Sequence, residues 1–354
     1  MDLNVYQLME SEFDEIWAYD LPWEKLDGKT ILIAGATGLI GTCMIYAIVH
    51  RNKKYNSNIK IVALARNKEL LEEKFSEFIN VETLSADICT EIDYAGTVDY
   101  IVHAACDVAK RTHEKYPVQA MDVFTEGTSN ICKLAIKKNS KVILLSSVAI
   151  YGRSKTRVPF DEDSINHIDL SSSLYSYCEG KRISEMICSC YSKQYDMNFS
   201  TLRLEKAYGP TMNLWDRSIL PYFIMMASSG ENITLKSDGK QEYNYVYVTD
   251  VVAAIFFLIF KGERKAYNCG LGENEKVQYF GDIVGQITDV NDVELVFAGK
   301  HENKSDNPGS DFSAMYSSIL LGMGWKKKTM MKQGIKRTSD ILKSVYGDKL
   351  REYI

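Results

Sequence analysis

Tyr177 and Lys181 stand four residues apart in Tyr177-Cys178-Glu179-Gly180-Lys181, a spacing that puts both side chains on one face of a helix. A phenol of ordinary pKa about 10 is a poor acid or base at neutral pH, so a neighbouring ammonium that favours phenolate makes it chemically useful. The same spacing also arises in ordinary surface pairs. Ser147 separates the two readings. It follows an apolar run over 141–146, and a hydroxyl there stands at the carboxyl edge of a parallel sheet, where doubly wound folds bind ligands.

A second group of residues suits a dinucleotide. Gly35-Ala36-Thr37-Gly38-Leu39-Ile40-Gly41 lies between an apolar run, 30–34, and a helical stretch, 42–50. Glycines allow a tight turn and close backbone approach. The helix start at Thr37, Gly38, Leu39 and Ile40 offers unpaired N–H groups and a favourable dipole to a pyrophosphate. At the end of the next strand an acidic side chain would bind the 2′-hydroxyl of NAD, and a basic one the 2′-phosphate of NADP. The chain reads Ala63-Leu64-Ala65-Arg66-Asn67-Lys68, with no carboxylate until Glu69. Arg66 can hold a phosphate bidentately or stack on adenine; otherwise it is a surface arginine. On this reading NADP(H) is favoured and NAD(H) is the alternative.

The elements that must position these groups alternate strand and helix. Strands are expected at 30–34, 59–65, 81–86, 100–104 and 141–146, and helices at 42–50, 70–78 and 117–138. Such alternation implies right-handed crossovers and a parallel sheet. The expected fold is α/β, a Rossmann-type doubly wound parallel sheet with a smaller C-terminal mixed α/β substrate-binding domain. Residues 1–28 read as an amphipathic extension that packs through Trp17, Leu21 and Trp23. Residues 29–208 are mainly the dinucleotide-binding domain, and 209–354 mainly a substrate-binding region with segments returning to it. The lysine run 326–328 reads as a solvated helix start.

Composition narrows the partners. With 45% hydrophobic and 25% charged residues the chain is ordinary globular protein. A net charge of −5 offers no footprint for nucleic acid. The longest apolar run, 246–260, is interrupted by Thr249 and Asp250, which argues against a membrane span. The acidic N-terminus does not resemble a signal peptide. Eight cysteines without regular spacing and only five histidines indicate neither disulfide framework nor metal site, and a reducing cytoplasm is the expected setting.

In order and spacing these residues are similar to the extended short-chain dehydrogenase/reductases, the nucleotide-sugar epimerase/dehydratase family. The likeness covers the glycine turn, Ala86-Asp87-Ile88, His103-Ala104-Ala105 and Ser146-Ser147-Val148-Ala149-Ile150-Tyr151-Gly152. It continues through Tyr177 to Lys181, Arg203 to Pro210, Tyr247-Val248-Thr249-Asp250 and Leu321-Gly322-Met323-Gly324-Trp325. The resemblance implies that Tyr177 is the acid/base, that Ser147 hydrogen-bonds the reacting oxygen and that Lys181 holds the nicotinamide ribose. Asp87 and Ile88 would contact adenine, and Ala104 and Ala105 would line the cofactor. It also implies a homodimer, through a four-helix interface built from 117–138 and 177–195. Members with the lead-in Leu21-Pro22-Trp23-Glu24-Lys25-Leu26 resemble those of bacterial surface-polysaccharide clusters.

The departures are informative. Dehydratases of the family carry an Asp-Glu pair after the strand-end hydroxyl, and decarboxylases keep the glutamate; this chain has Val148-Ala149. Where relatives have Phe-Asn it has Glu205-Lys206, and where many have a diphosphate-binding Arg it has Tyr243. Lys206 is expected to supply the missing counter-charge and Tyr243 to stack or hydrogen-bond, unless both positions merely repack. Phe124 replaces the usual asparagine before Gly127-Thr128. Asp250 is expected to cap a helix starting at Val251, and His103 to be structural. The favoured activity is NADP(H)-dependent reduction of a nucleotide-activated keto sugar, such as a ketose to an alditol. The alternative is a nucleotide-sugar epimerase with tightly held NAD.

Overall fold

The computed structural model describes residues 2–106, 115–154, 156–298 and 311–354. Two short helices open the chain, α1 (Asp2–Leu8) and α2 (Glu10–Trp17). Then follow β1 (Thr30–Ala34), α3 (Leu39–Tyr55), β2 (Lys60–Ala65), α4 (Lys68–Phe75), β3 (Val81–Ser85) and β4 (Tyr100–His103). A long helical stretch comes next, α5 (Pro117–Asp122), a π-helical turn (Val123–Gly127) and α6 (Thr128–Lys138). The first half ends with β5 (Lys141–Ser147), α7 (Ser176–Tyr195) and β6 (Phe199–Leu204).

The second half is made of shorter pieces. They are β7 (Lys206–Tyr208), α8 (Ile219–Ser228), β8 (Ile233–Leu235), β9 (Glu242–Tyr243), β10 (Tyr245–Tyr247), α9 (Val248–Lys261) and β11 (Ala266–Cys269). The chain closes with β12 (Gln278–Tyr279), α10 (Phe280–Asn291), β13 (Leu295–Phe297), β14 (Phe312–Ser313), α11 (Ser318–Gly322) and α12 (Met331–Tyr346).

Seven strands form one parallel sheet in the order β11-β6-β5-β4-β1-β2-β3. Burial on both faces explains why β1 reads as an unbroken apolar run. Ile31 and Ile33 pack on one side, with α3 and α9. Leu32 and Ala34 pack on the other, with α6 and α7. The strand order reverses beside β1, between β2 and β4, and that is where a doubly wound sheet opens a crevice. A separate core joins α8, α10 and α12 around Ile224, Ile283 and Ile335, with β12-β9-β14 and β10-β7 as small sheets beside it.

The N-terminal helices are clamped to the body. Phe13, Ile16 and Trp17 are buried, Trp17 packs on Phe256 at 5.0 Å between ring centres, and Glu15 pairs with Arg337 of α12 at 2.6 Å. No described helix is long and apolar enough to cross a membrane.

Two local expectations change. Helix α9 begins at Val248, so Asp250 lies in its first turn and does not cap it. Its two carboxylate oxygens instead accept the N–H groups of Lys328 and Thr329 at 2.9 and 3.0 Å, tying the approach to α12 onto α9. Nor is the lysine run a solvated helix start. Helix α12 starts at Met331, and Lys327 is buried in an ion pair with Glu275 at 2.7 Å.

A candidate active site at the carboxyl edge of the sheet

The glycine turn leaves β1 at the crevice. Gly35 has φ +88°, a left-handed conformation, and a Cβ there would stand 2.8 Å from the backbone of Ala104 and Ala105 at the end of β4. Those two loops therefore touch where the strand order reverses. Gly41 lies one turn into α3, and a Cβ on it would collide with the Gly35 carbonyl oxygen and reach Ala36 Cα at 2.9 Å. Only hydrogen fits at either position. The first N–H groups of α3, near Leu39 and Ile40, have no helical acceptor, while Thr37 and Gly38 are accessible. This cradle fits a dinucleotide pyrophosphate.

Arg66 stands one residue past β2 and is exposed. Its carbonyl oxygen accepts the Ser85 hydroxyl at 3.2 Å, so the ends of β2 and β3 lie side by side. Asp87 is exposed just beyond β3, its carboxylate accepting the Cys89 N–H at 2.9 Å. Ile88 is buried against Gly127 of the π-helical turn, and the Asn130 side chain of α6 donates to its carbonyl at 2.9 Å. Arg66 and Asp87 thus share the edge on which an adenosine half would rest.

Ser147, Tyr177 and Lys181 come together on the neighbouring edge. Ser147 ends β5, paired in register with Leu204 of β6, and its hydroxyl accepts the Ala149 N–H at 3.2 Å. A hydrogen bond joins the Ser147 and Tyr177 side chains. Enclosure raises the Tyr177 phenol above its ordinary pKa, and this hydrogen bond opposes the rise. One turn along α7, the Lys181 ammonium donates to the Leu145 carbonyl at 2.7 Å and lies 6.0 Å from the Tyr177 ring centre. Phe124, carried by the π-helical turn, closes the back of the pair, and the absence of a Cβ on Gly180 makes room for its ring. His103 is buried beside them, and because the Thr128 hydroxyl donates to Ser184 at 3.0 Å, the imidazole Nε2–H donates to Thr128 Oγ1 at 3.2 Å. Burial, then the Lys181 charge, push His103 down to about 3, so it is a neutral, structural imidazole at physiological pH.

Across the crevice β7 and β10 pair in parallel, with Lys206 opposite Tyr245. The Lys206 ammonium lies 4.2 Å from the centre of the Tyr243 ring, a cation–π contact. Lys206 is solvent-exposed as a residue, and desolvation by the neighbouring protein still pulls its ammonium below the usual lysine range, with Glu205 opposing the shift. Sequence reasoning paired Lys206 with Tyr243 only as replacements. It missed that Glu205 is buried, and that the Phe124 ring enters the site. The signals were present: a carboxylate in an otherwise apolar strand end, and a glycine between Tyr177 and Lys181. Among the described residues no group of His, Cys, Asp and Glu could hold a metal ion.

The family model described as "NAD dependent epimerase/dehydratase family" matches residues 31–270. UDP-glucuronic acid decarboxylase 1 of Xenopus tropicalis is 24% identical over 316 residues, 88% of this chain and 72% of that protein. A putative UDP-glucose 4-epimerase of Methanocaldococcus jannaschii is 27% identical over 320 residues, 89% of this chain and 98% of that protein. Among solved structures, the UDP-glucose 4-epimerase of Thermotoga maritima with UDP-glucose superposes with a TM-score of 0.76 at 20% identity, covering 89% of this chain and 99% of that one. The dTDP-glucose 4,6-dehydratase of Bacillus anthracis, in complex with NAD, gives 0.72 at 19% identity, over 92% and 100%.

Proposed function

The chain belongs to the NAD-dependent epimerase/dehydratase family, enzymes of nucleotide-sugar chemistry, and on that premise we propose that it is a nucleotide-sugar epimerase retaining one NAD through turnover. One observation carries the choice within the family. Ser147, Tyr177 and Lys181 converge at the strand end, yet the residues that follow are Val148 and Ala149. The site has the groups for moving a proton on a sugar hydroxyl, and lacks in that place the carboxylates for elimination or decarboxylation. Epimerisation needs only the former.

The bound dinucleotide would supply the redox partner at the sugar carbon. Tyr177, as phenolate, takes the proton of the sugar hydroxyl and later returns it to the carbonyl oxygen. Ser147 donates a hydrogen bond to that oxygen as its charge changes. Lys181, anchored by Leu145, binds the ribose and favours the phenolate electrostatically. Gly35, Thr37, Gly38, Leu39, Ile40 and Gly41 hold the pyrophosphate, with Asp87, Ile88, Ala104 and Ala105 lining the cofactor. Lys206 is the counter-charge for the substrate diphosphate, and Tyr243 forms the wall beside it. A second copy of the chain packs across α5, α6 and α7, where Met186 and Ile183 are exposed; a solution mass of one chain would remove this dimer.

Arg66 favours a second reading. An arginine at the end of β2 suits the 2′-phosphate of NADP, and an NADPH-fed enzyme would reduce a nucleotide-linked ketose, for instance to an alditol. Denaturing the purified protein and assaying the supernatant separates the two. Stoichiometric NAD, with interconversion of a nucleotide sugar and its epimer, supports the epimerase. A protein that arrives empty and oxidises NADPH only with a nucleotide-linked ketose replaces it by the reductase.

A further inference from the structure

Glu205 and Lys206 occupy the junction of β6 and β7, one step beyond Leu204, which lies opposite Ser147. Glu205 is 3% exposed. Its Oε2 accepts the Ser313 hydroxyl at 3.1 Å, while Oε1 is buried with no hydrogen-bond partner. A buried carboxylate left half satisfied is costly, and such groups hold a proton or a counter-charge.

The charged and titratable groups facing Glu205 come from five places. Lys206 on β7 contributes its ammonium and its backbone N–H, Ser313 on β14 its hydroxyl, and Lys327 before α12 its charge. Tyr245 on β10 and Cys269 on β11 stand near it as neutral groups, each raised by burial. Lys327 is already committed. It donates to both Glu275 oxygens at 2.7 and 2.8 Å, to Asn244 Oδ1 at 3.2 Å and to the Tyr245 carbonyl at 2.8 Å. Lys206 makes no ion pair with Glu205, yet its charge is the largest acting on that carboxyl and, unlike that of Lys327, is not tied up by another carboxylate. The same ammonium faces the crevice over Tyr243, where the substrate diphosphate is assigned.

One cation cannot fully serve two anions. Resting on the nucleotide-sugar reading above, we propose that Glu205 sets the charge of the diphosphate cradle. It takes a proton from solvent as the diphosphate of a nucleotide sugar reaches Lys206, and the Glu205–Lys206 pair passes from neutral to cationic. Burial already pushes Glu205 up to about 7, with Lys206 pulling the other way. An arriving anion that engages Lys206 removes that pull and adds its own repulsion. By linkage, proton uptake on binding and weaker binding at higher pH are the same fact. The limit for one proton is a tenfold loss of affinity per pH unit.

The test is titration calorimetry of the full-length protein as purified, with UDP-, dTDP-, CDP- and GDP-glucose. Each is run at pH 7.5 in phosphate and in Tris, whose ionisation heats differ. The diphosphate of these sugars is a diester with no proton to titrate in this range, so uptake reports the protein. The wild type should take up a sizeable fraction of one proton per ligand and bind more weakly from pH 6.5 to 8.5. Glu205→Gln should abolish the uptake and flatten the pH dependence. Ser313→Ala, which removes the hydrogen bond that favours the carboxylate, should move the uptake to higher pH and serves if Glu205→Gln does not fold. Wild-type binding without proton uptake, or with uptake equal to that of Glu205→Gln, overturns the inference and leaves the nucleotide-sugar reading intact. Failure of all four ligands to bind removes both.

Discussion

The Phe124 ring stands edge-on to the Tyr177 ring, centres 5.9 Å apart and planes at 75°, with the Lys181 ammonium 5.6 Å from the same Phe124 centre. An apolar wall thus backs both groups and leaves Ser147 as the polar side of the phenol. Such a wall keeps water off the back of Tyr177, so the phenol exchanges its proton with whatever lies in front of it.

If Tyr177 is the acid/base, Tyr177→Phe removes the proton-carrying oxygen and little else. Turnover should fall by about 10²–10⁴-fold, while the amount of dinucleotide released on denaturation stays the same. Wild-type-like steady-state rates in this variant would take the role away from Tyr177.

Two glycines should respond oppositely to alanine. At Gly41 the added methyl meets the Gly35 carbonyl and the Ala36 backbone, a cost of about 1–3 kcal/mol that falls on the pyrophosphate cradle. Gly41→Ala should lower Tm and lose bound dinucleotide. Gly285 lies inside α10 with nothing near its missing Cβ. Gly285→Ala should stabilise by about 0.5–1 kcal/mol. A Tm rise at both positions would contradict the close approach at Gly41.

Glu12 of α2 carries a pH signature. Burial pushes it up to about 7 from 4.5, with the nearby Tyr247 hydroxyl and the Arg337 charge opposing the rise. Between those pH values the folded chain holds the proton that the unfolded chain has released. The stability contributed is full below about 4.5 and is lost as pH rises through about 7. Glu12→Gln has no such loss, so its stability relative to wild type should improve by about 1–3 kcal/mol from pH 4.5 to pH 8. Denaturant midpoints that run parallel over that range would count against it.

Arg66 is the residue on which the two functional readings part. Under the epimerase proposal, Arg66→Ala leaves the identity and stoichiometry of the retained NAD unchanged. A variant whose affinity for NADPH drops while that for NADH holds would move the protein to the reductase reading.

Much of the cofactor side was legible because its signals are local. Gly41, whose Cβ would hit the Gly35 carbonyl and the Ala36 backbone, answers to a few adjacent residues, and buried parallel strands advertise themselves as apolar runs. Tyr177 and Lys181 were equally readable, since a helix fixes their relation. What was not legible depends on partners far along the chain. Asp250 looked like a helix cap because its neighbours suit one, but its hydrogen bonds go to Lys328 and Thr329. Lys327 looked solvated within a basic run, and its burial depends on Glu275. Glu205 stood out as a carboxylate at an apolar strand end, but its burial depends on β14, which brings Ser313 against it.

The clamp between α2 and α12 has a consequence for how the molecule is made. Glu15 and Arg337, 2.6 Å apart, are separated by 322 positions. Helix α2 therefore completes its docking late, although its pairs with α3, Asp14 with His50 and Glu10 with Lys53, are available early. While the ribosome works through the remainder, Trp17 has no Phe256 to cover it, and α2 keeps part of its apolar face open to the cell. Long-range closures of this kind are slow, and they leave nascent chains open to chaperones and proteases. Damage to α12 should thus be felt during biogenesis, as an early segment left half docked on α3, before it is felt in the finished enzyme.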